Sequence, residues 1–220
     1  MKLEISELFD IKNEYIKPLF DGKTYPWEVL PEIKGYILSL IEKGIEGYTL
    51  LKDGVLVGEN VKIYDTATID GPAIFGSGTE IRPGAFIRGS VITGENCVIG
   101  NSSELKNAVL LDKVQVPHYN YVGDSVLGNF AHMGAGSICS NLKSDGKNVV
   151  IHADKDIETG LRKIGGILAD RADIGCGCVL NPGTVVGKNT SVYPLTALRG
   201  VFPENSIVKS VDNIVIRKVD

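Results

Sequence analysis

Three histidines, His118, His132 and His152, are the side chains of this sequence best suited to moving a proton near neutral pH. A nucleophile that attacks in its neutral form must shed a proton as the new bond forms. An imidazole within reach serves as the base. His118 is the leading candidate, because it sits in VPHYNYVGD beside two irregular steps of an otherwise regular repeat. A lone histidine is also an ordinary surface residue, so its neighbours must decide. Glu104 and Tyr121 lie 17 residues apart, as do Ile99 and Val116 on either side of one turn of that repeat. A carboxylate near an imidazole orients it and stabilises its protonated form, and a lysine can meet a phosphate. Glu104, Lys106, His118, Tyr121 and His132 are therefore expected to converge on one lateral groove. A metal centre is the lesser alternative: the histidines are 14 and 20 residues apart, with no close pair, and no metal ligand is assigned.

The elements that position these residues follow from a period of six. Counting from Leu51 gives Val57, Ile63, Ile69, Phe75, Ile81, Ile87, Thr93, Ile99 and Leu105, apolar and large except at Thr93. Four residues after each start stand Val55, Val61, Ala67, Ala73, Thr79, Ala85, Val91, Cys97, Ser103 and Val109, all small or β-branched. Neither a helix of period 3.6 nor a strand of period two produces both columns. A mainly β chain wound as a parallel β-helix does, with three short strands per turn and rungs about 4.8 Å apart. The register continues through Leu110, Val116, Val122, Leu127 and Met133, lapses after Ile138, and resumes at Leu168, Ile174, Leu180, Val186, Val192 and Leu198. Residues 139–167 are thus an excursion from the coil, expected to be functional.

The expected organisation is a helical N-terminal cap over residues 1–50, the coil over 51–200 and a tail over 201–220. A helix is expected from Pro31 to Lys43, stopped by Gly44, with a shorter one over Ile5 to Asn13. The cap would cover the exposed strand edge at one end of the coil, with Trp27, Tyr25 and Tyr36 in its core. The tail holds an apolar strand, Ile214 to Val219, that could cross to a neighbouring subunit.

Net charge −4 and pI 5.5, with no basic stripe, argue against a nucleic-acid partner. No apolar run is long enough for a membrane span and no signal-like leader is visible, so a cytoplasmic protein with reduced thiols is expected. Cys97 and Cys178 fall in the small column and read as packing.

The runs IRPGAFIRGS, GNSSELKN, VPHYNYVGDSVLG and AHMGAGSICSNLKSDGKNV resemble the acetyltransferase domain of the glucosamine-1-phosphate acetyltransferase/UDP-N-acetylglucosamine pyrophosphorylase family. The later RKIGGILADRADIG is closer to the related sugar-phosphate nucleotidylyltransferase/acetyltransferases. The resemblance implies a left-handed β-helix, a homotrimer, acetyl-CoA as co-substrate and an amino sugar phosphate as acceptor, in UDP-N-acetylglucosamine biosynthesis. It implies His118 as general base with Glu104 beside it. Arg82, Lys106, Tyr121, His132, Asn141 and Lys147 match acceptor positions, and Cys176, Tyr193, Pro194 and Arg199 fall toward coenzyme A. Three positions depart from the family: His132 replaces an asparagine, Leu142 a tyrosine and Cys176 a serine. The nucleotidyl-binding fingerprint is missing, so uridylyl transfer is not expected. A non-catalytic scaffold that binds sugar nucleotides is the alternative reading.

Overall fold

Two columns of inward side chains, one bulky and one slim, leave a chain of this length few ways to fold except around a narrow triangular interior. The computed structural model describes residues 1–217 and is a left-handed parallel β-helix. Ile81, Ile87, Ile99, Leu105, Val116, Val122, Leu127, Leu168, Ile174 and Leu180 stack in its interior and are fully buried. Three strand columns form the faces. Val55–Val57, Ala73–Phe75, Val91–Thr93, Gly166–Leu168 and Thr184–Val186 make a covered face. Lys62–Ile63, Glu80–Ile81, Val98–Asn101, Gln115–His118, His132–Met133 and Asp173–Ile174 make a polar face. Thr68–Asp70, Phe86–Arg88, Ile138–Cys139, Val179–Leu180 and Ala197–Leu198 make a bare face. Two longer strands, Glu104–Leu110 and Tyr121–Leu127, start on the bare face and round the corner onto the covered one.

Two column positions differ from expectation. Leu51 is exposed, because Thr49–Lys52 turns through Gly54 and pairs antiparallel with Val55–Val57, so the coil starts at Val55. Val109 points outward, because the short step between Leu105 and Leu110 shifts the slim inward position to Ala108.

The N-terminal segment does not close an end of the coil, as a cap would. It runs along the covered face, whose outward column (Leu56, Ile74, Ile92, Val109, Val126, Ile167, Val185) is aliphatic and buried in one cluster with it and with Val149, Ile151 and Ile164 of the excursion. An aliphatic outward column needs a second apolar layer, and the helix Ile33–Lys43 supplies one through Ile33 and Ile37. Gly44, at φ 76°, ends that helix. The shorter helix spans only Ile5–Leu8. Trp27 is buried and stacks on Tyr25 at 4.7 Å within this layer. Hydrogen bonds tie the segment to rungs three apart: Tyr15 Oη donates to the Thr93 carbonyl at 2.6 Å, and the Asp10 N–H to Asp170 Oδ2 at 2.8 Å.

Both ends of the coil are finished by antiparallel pairs instead, Thr49–Lys52 on Val55–Val57 and Asn213–Ile216 on Ser206–Ser210. The coil therefore extends past residue 200, through Val201–Phe202 and Ser206–Ser210. The last apolar strand folds back on its own chain, while Lys218 and Val219 of the expected strand lie outside the described residues. The excursion leaves from Ile138–Cys139, forms the hairpin Val150–His152/Asp156–Glu158, and returns at Gly166. Among the described residues no helix is long and apolar enough to cross a membrane.

Candidate active site

A coil of short strands turns its corners through left-handed backbone, which glycine and asparagine tolerate and bulky residues resist. At the corner between the polar and bare faces, that position is held by Gly84, Ser102, Tyr119, Gly136, Gly177 and Leu195. Tyr119 at φ 52° and Leu195 at φ 60° are bulky, and they are 61% and 84% exposed. Both side chains are bulky for that backbone and largely open to solvent. His118 ends the strand Gln115–His118 immediately before Tyr119 and is exposed there. Asn120, buried in the slim column, pins the turn: its Oδ1 accepts the His118 N–H at 3.1 Å and its Nδ2 donates to the Gly134 carbonyl at 2.8 Å. Along this same corner Arg82 stands two rungs from His118 on one side, and Cys176 two rungs and Tyr193 and Pro194 three rungs on the other. Arg82 Nε contacts Glu80 Oε2 at 3.2 Å.

Across the bare face a second group gathers. Phe86, Glu104, Tyr121 and Ile138 are register partners on successive rungs. The Glu104 carboxylate is held by Arg88 Nη1 at 2.6 Å. Asn141 Nδ2 donates to Tyr121 Oη at 3.2 Å and to Asp124 Oδ2 at 2.5 Å. Lys106 Nζ lies 3.8 Å from the same Asp124 oxygen. Gly123 makes this close approach possible, since a Cβ there would come within 2.5 Å of Tyr121 Oη and 2.7 Å of Asn141 Nδ2. Burial, helped by the Glu104 and Asp124 carboxylates, raises the Tyr121 phenol pKa.

Nine of the twelve expected site residues therefore occupy two places within one chain, while His132, Lys147 and Arg199 stand elsewhere. Glu104, Lys106, Tyr121 and Asn141 adjoin one another. His118, Arg82, Cys176, Tyr193 and Pro194 share the opposite corner of the bare face. His132 is on neither: it projects from the polar face, with its Nδ1 at 2.8 Å from Asp173 Oδ1. Lys147 is exposed in the excursion, after a turn in which the Lys147 N–H donates to Asp145 Oδ1 at 3.0 Å and lowers that carboxyl's pKa. Under the excursion a cavity of about 400 Å³ is lined by Ser140, Lys143, His152, Asn181 and Arg199. His152 Nδ1 meets Asp156 Oδ1 at 3.0 Å, and its Nε2 is 3.4 Å from Arg199 Nη2. Asp145 lines the same cavity, its Oδ2 3.4 Å from Lys143 Nζ. Arg88, Asn107, Asp124 and Asn120 were not singled out by sequence reasoning. The 18-residue spacing of Ile87 and Leu105 already aligns Arg88 with Lys106, and Asp124 is the acid of the Gly-Asp pair after Tyr121.

Cys97 and Cys178 are buried in the slim column, and burial pushes the Cys97 thiol up to about 12. Cys176 is exposed. Among the described residues no group of three histidine, cysteine or acidic side chains is placed to hold a metal ion.

The family described as the GMPPB C-terminal domain matches residues 69–161. The bifunctional protein GlmU of Methanococcus maripaludis is 31% identical over 197 residues, covering 88% of this chain and 48% of that protein. A bifunctional sugar-1-phosphate nucleotidylyltransferase/acetyltransferase of Sulfurisphaera tokodaii is 31% identical over 174 residues, covering 77% of this chain and 43% of its own length. The chain thus spans about half the length of the curated relatives it matches. Among solved structures, the UDP-N-acetylglucosamine acyltransferase from Campylobacter jejuni shares the fold, with TM-score 0.53 and 15% identity over 76% of this chain and 71% of that one.

Proposed function

We propose, from the kinship with GlmU that bears out the resemblance carried by its motifs, that this chain moves an acetyl group from acetyl-CoA to the amine of an amino sugar phosphate. The observation that carries the reading is the polar group on the bare face, where Lys106, Tyr121 and Asn141 stand together opposite the His118 corner. In this reading the amine attacks the thioester carbonyl, the His118 imidazole takes the proton shed by the amine, and the thiolate of coenzyme A leaves. Lys106 and Arg82 offer positive charge to the acceptor phosphate, and Lys147 extends it. Cys176, Tyr193 and Pro194 lie at the His118 corner for the thioester, and Arg199, across the bare face in the cavity under the excursion, is left to meet a phosphate of coenzyme A.

The two half-sites need a second copy to close on one another. Phe86, Ile138 and Val179 leave apolar surface on the bare face, which supports packing of copies there as a homotrimer. The test is an acetylation assay across amino sugar phosphates, with His118→Ala expected to lower kcat by about 10²- to 10⁴-fold. Mixing His118→Ala with Lys106→Ala subunits should restore part of the activity if the pocket is shared between copies. An inactive wild type, or a His118→Ala variant as fast as it, would end the reading.

One observation favours a binding-only chain: Glu104 is held by Arg88 instead of by His118. Calorimetry separates the two, because a chain that serves only as a scaffold has no affinity for acetyl-CoA.

A further inference from the structure

Asp124 is the most deeply buried acid at the site, 5% exposed, and it sits in left-handed backbone at φ 48° where the strand rounds the corner. Three donors from other rungs meet it: Asn107 Nδ2 at 2.9 Å on Oδ1, Asn141 Nδ2 at 2.5 Å on Oδ2, and Lys106 Nζ at 3.8 Å from Oδ2. Its carbonyl accepts the Gly165 N–H at 2.7 Å, so the returning end of the excursion is fastened to the same residue.

We propose that Asp124 is a positioning residue that sets which way the Asn141 carboxamide faces and, through it, holds the Tyr121 hydroxyl as a donor. A carboxylate can only accept, so the Asn141 atom turned toward it is the NH₂ nitrogen. The same NH₂ reaches Tyr121 Oη at 3.2 Å. The hydroxyl oxygen accepts there, and its own proton is left to point toward the open bare face. The Asn141 carbonyl oxygen faces away from Asp124, available as an acceptor. Burial and the two carboxylates keep the phenol protonated, as a donor must be. The site then shows a ligand one fixed donor and one fixed acceptor. Without Asp124 the amide can turn over and exchange them. The competing role for Asp124 is as countercharge to Lys106, which needs no particular direction of Asn141.

The inference rests on the reading that Tyr121 and Asn141 meet the acceptor, and the test is arranged to separate the two. Asp124→Asn keeps an oxygen for Asn141, because Asn107 can turn its own amide to suit the new NH₂, but it removes the charge. Asp124→Ala removes both. We expect KM for the acceptor to rise about tenfold or more in Asp124→Ala, the worth of one hydrogen bond to a charged group, and less than about threefold in Asp124→Asn, with KM for acetyl-CoA steady in both. Equal losses in the two variants would assign Asp124 to Lys106 and overturn the proposal, as would an Asp124→Ala enzyme with unchanged KM. A second readout needs neither catalysis nor a folded variant. In the wild type the two Asn141 side-chain amide protons should exchange with solvent at least tenfold more slowly than those of exposed Asn60. Exchange at the rate of a free amide overturns the proposal. A wild type that transfers nothing while those protons stay protected fails the functional reading alone.

Discussion

The covered and bare faces are built on the same rungs, with the same inward columns and the same parallel ladder, yet they have opposite fates. On the covered face the outward column reads Leu56, Ile74, Ile92, Val109, Val126, Ile167, Val185, and every one is buried in a layer made by the N-terminal segment together with Val149, Ile151 and Ile164 of the excursion. On the bare face it reads Phe86, Glu104, Tyr121, Ile138, Val179, a mixture of apolar and polar side chains that stays partly or fully exposed. In such a coil the inward residues decide that it forms, and the outward ones decide what each side is for. Covering one side also leaves the segment's hydrogen bonds to Thr93 and Asp170 far from the corner that carries His118.

The sharpest way to break this contrast is to place the same charge on each face. Ile92→Asp puts a carboxylate with no partner into a fully buried site, and should cost about 3–5 kcal/mol in urea unfolding. Phe86→Asp, at a position 37% exposed, should cost about 1 kcal/mol or less. If copies pack on the bare face, it should instead weaken their association in sedimentation. Equal costs would mean that the N-terminal segment is not the second layer described here.

A smaller effect separates stability from function within the bare face. Gly123→Ala drives a methyl against Tyr121 Oη and Asn141 Nδ2, both ends of side chains that can move aside. Overpacking of this kind costs about 1–3 kcal/mol. The displaced phenol should lower acetyl transfer at least tenfold, more than the fall in melting temperature would suggest. A variant that loses stability but keeps activity would place Tyr121 outside the chemistry.

How much of this could be read from residues alone differs between the two sides. The interior was legible because one steric rule, large then slim, repeats every six residues from Val57 to Leu105 and again from Leu168 to Leu198. It misled at Val109, where a five-residue step moves the rung by one, and at Leu51, which belongs to a hairpin. The covered column was in view as well: Leu56, Ile74 and Ile92 are spaced like the inward residues and follow the slim column by one. An outward column that is aliphatic at every rung requires a cover, and this would have sent the first 50 residues to a side instead of an end. The candidate site was legible as residue types but not as an arrangement. Glu104 and Tyr121 follow from the rung length. The clamp of Asn107, Lys106 and Asn141 on Asp124 depends on three rungs converging at one corner, and the pairing of Glu104 with Arg88 depends on side-chain reach, which spacing does not encode.

The smallest expected effect concerns the latch between the N-terminal segment and the coil. Asp170 Oδ2 accepts the Asp10 N–H at 2.8 Å, and its Oδ1 accepts the Asn129 N–H at 2.7 Å and Asn129 Nδ2 at 3.0 Å. Those bonds favour the carboxylate, but burial outweighs them and raises the Asp170 pKa. A carboxyl raised on folding contributes stability that is fully present below its unfolded pKa, near 3.9, and is lost as pH rises through the folded value. At neutral pH the latch therefore holds its charge at a net cost. Asp170→Asn removes that cost but turns an NH₂ against one of the donors, so at pH 7 the two effects oppose and the change should stay within about 1 kcal/mol. The pH dependence is more telling than the size. Paired urea titrations at pH 4 and pH 7 should show the wild type losing stability relative to Asp170→Asn as pH rises, with faster exchange of the Asp10 amide in the variant. A gap that moves the other way would mean that the three N–H donors, and not burial, govern this carboxyl.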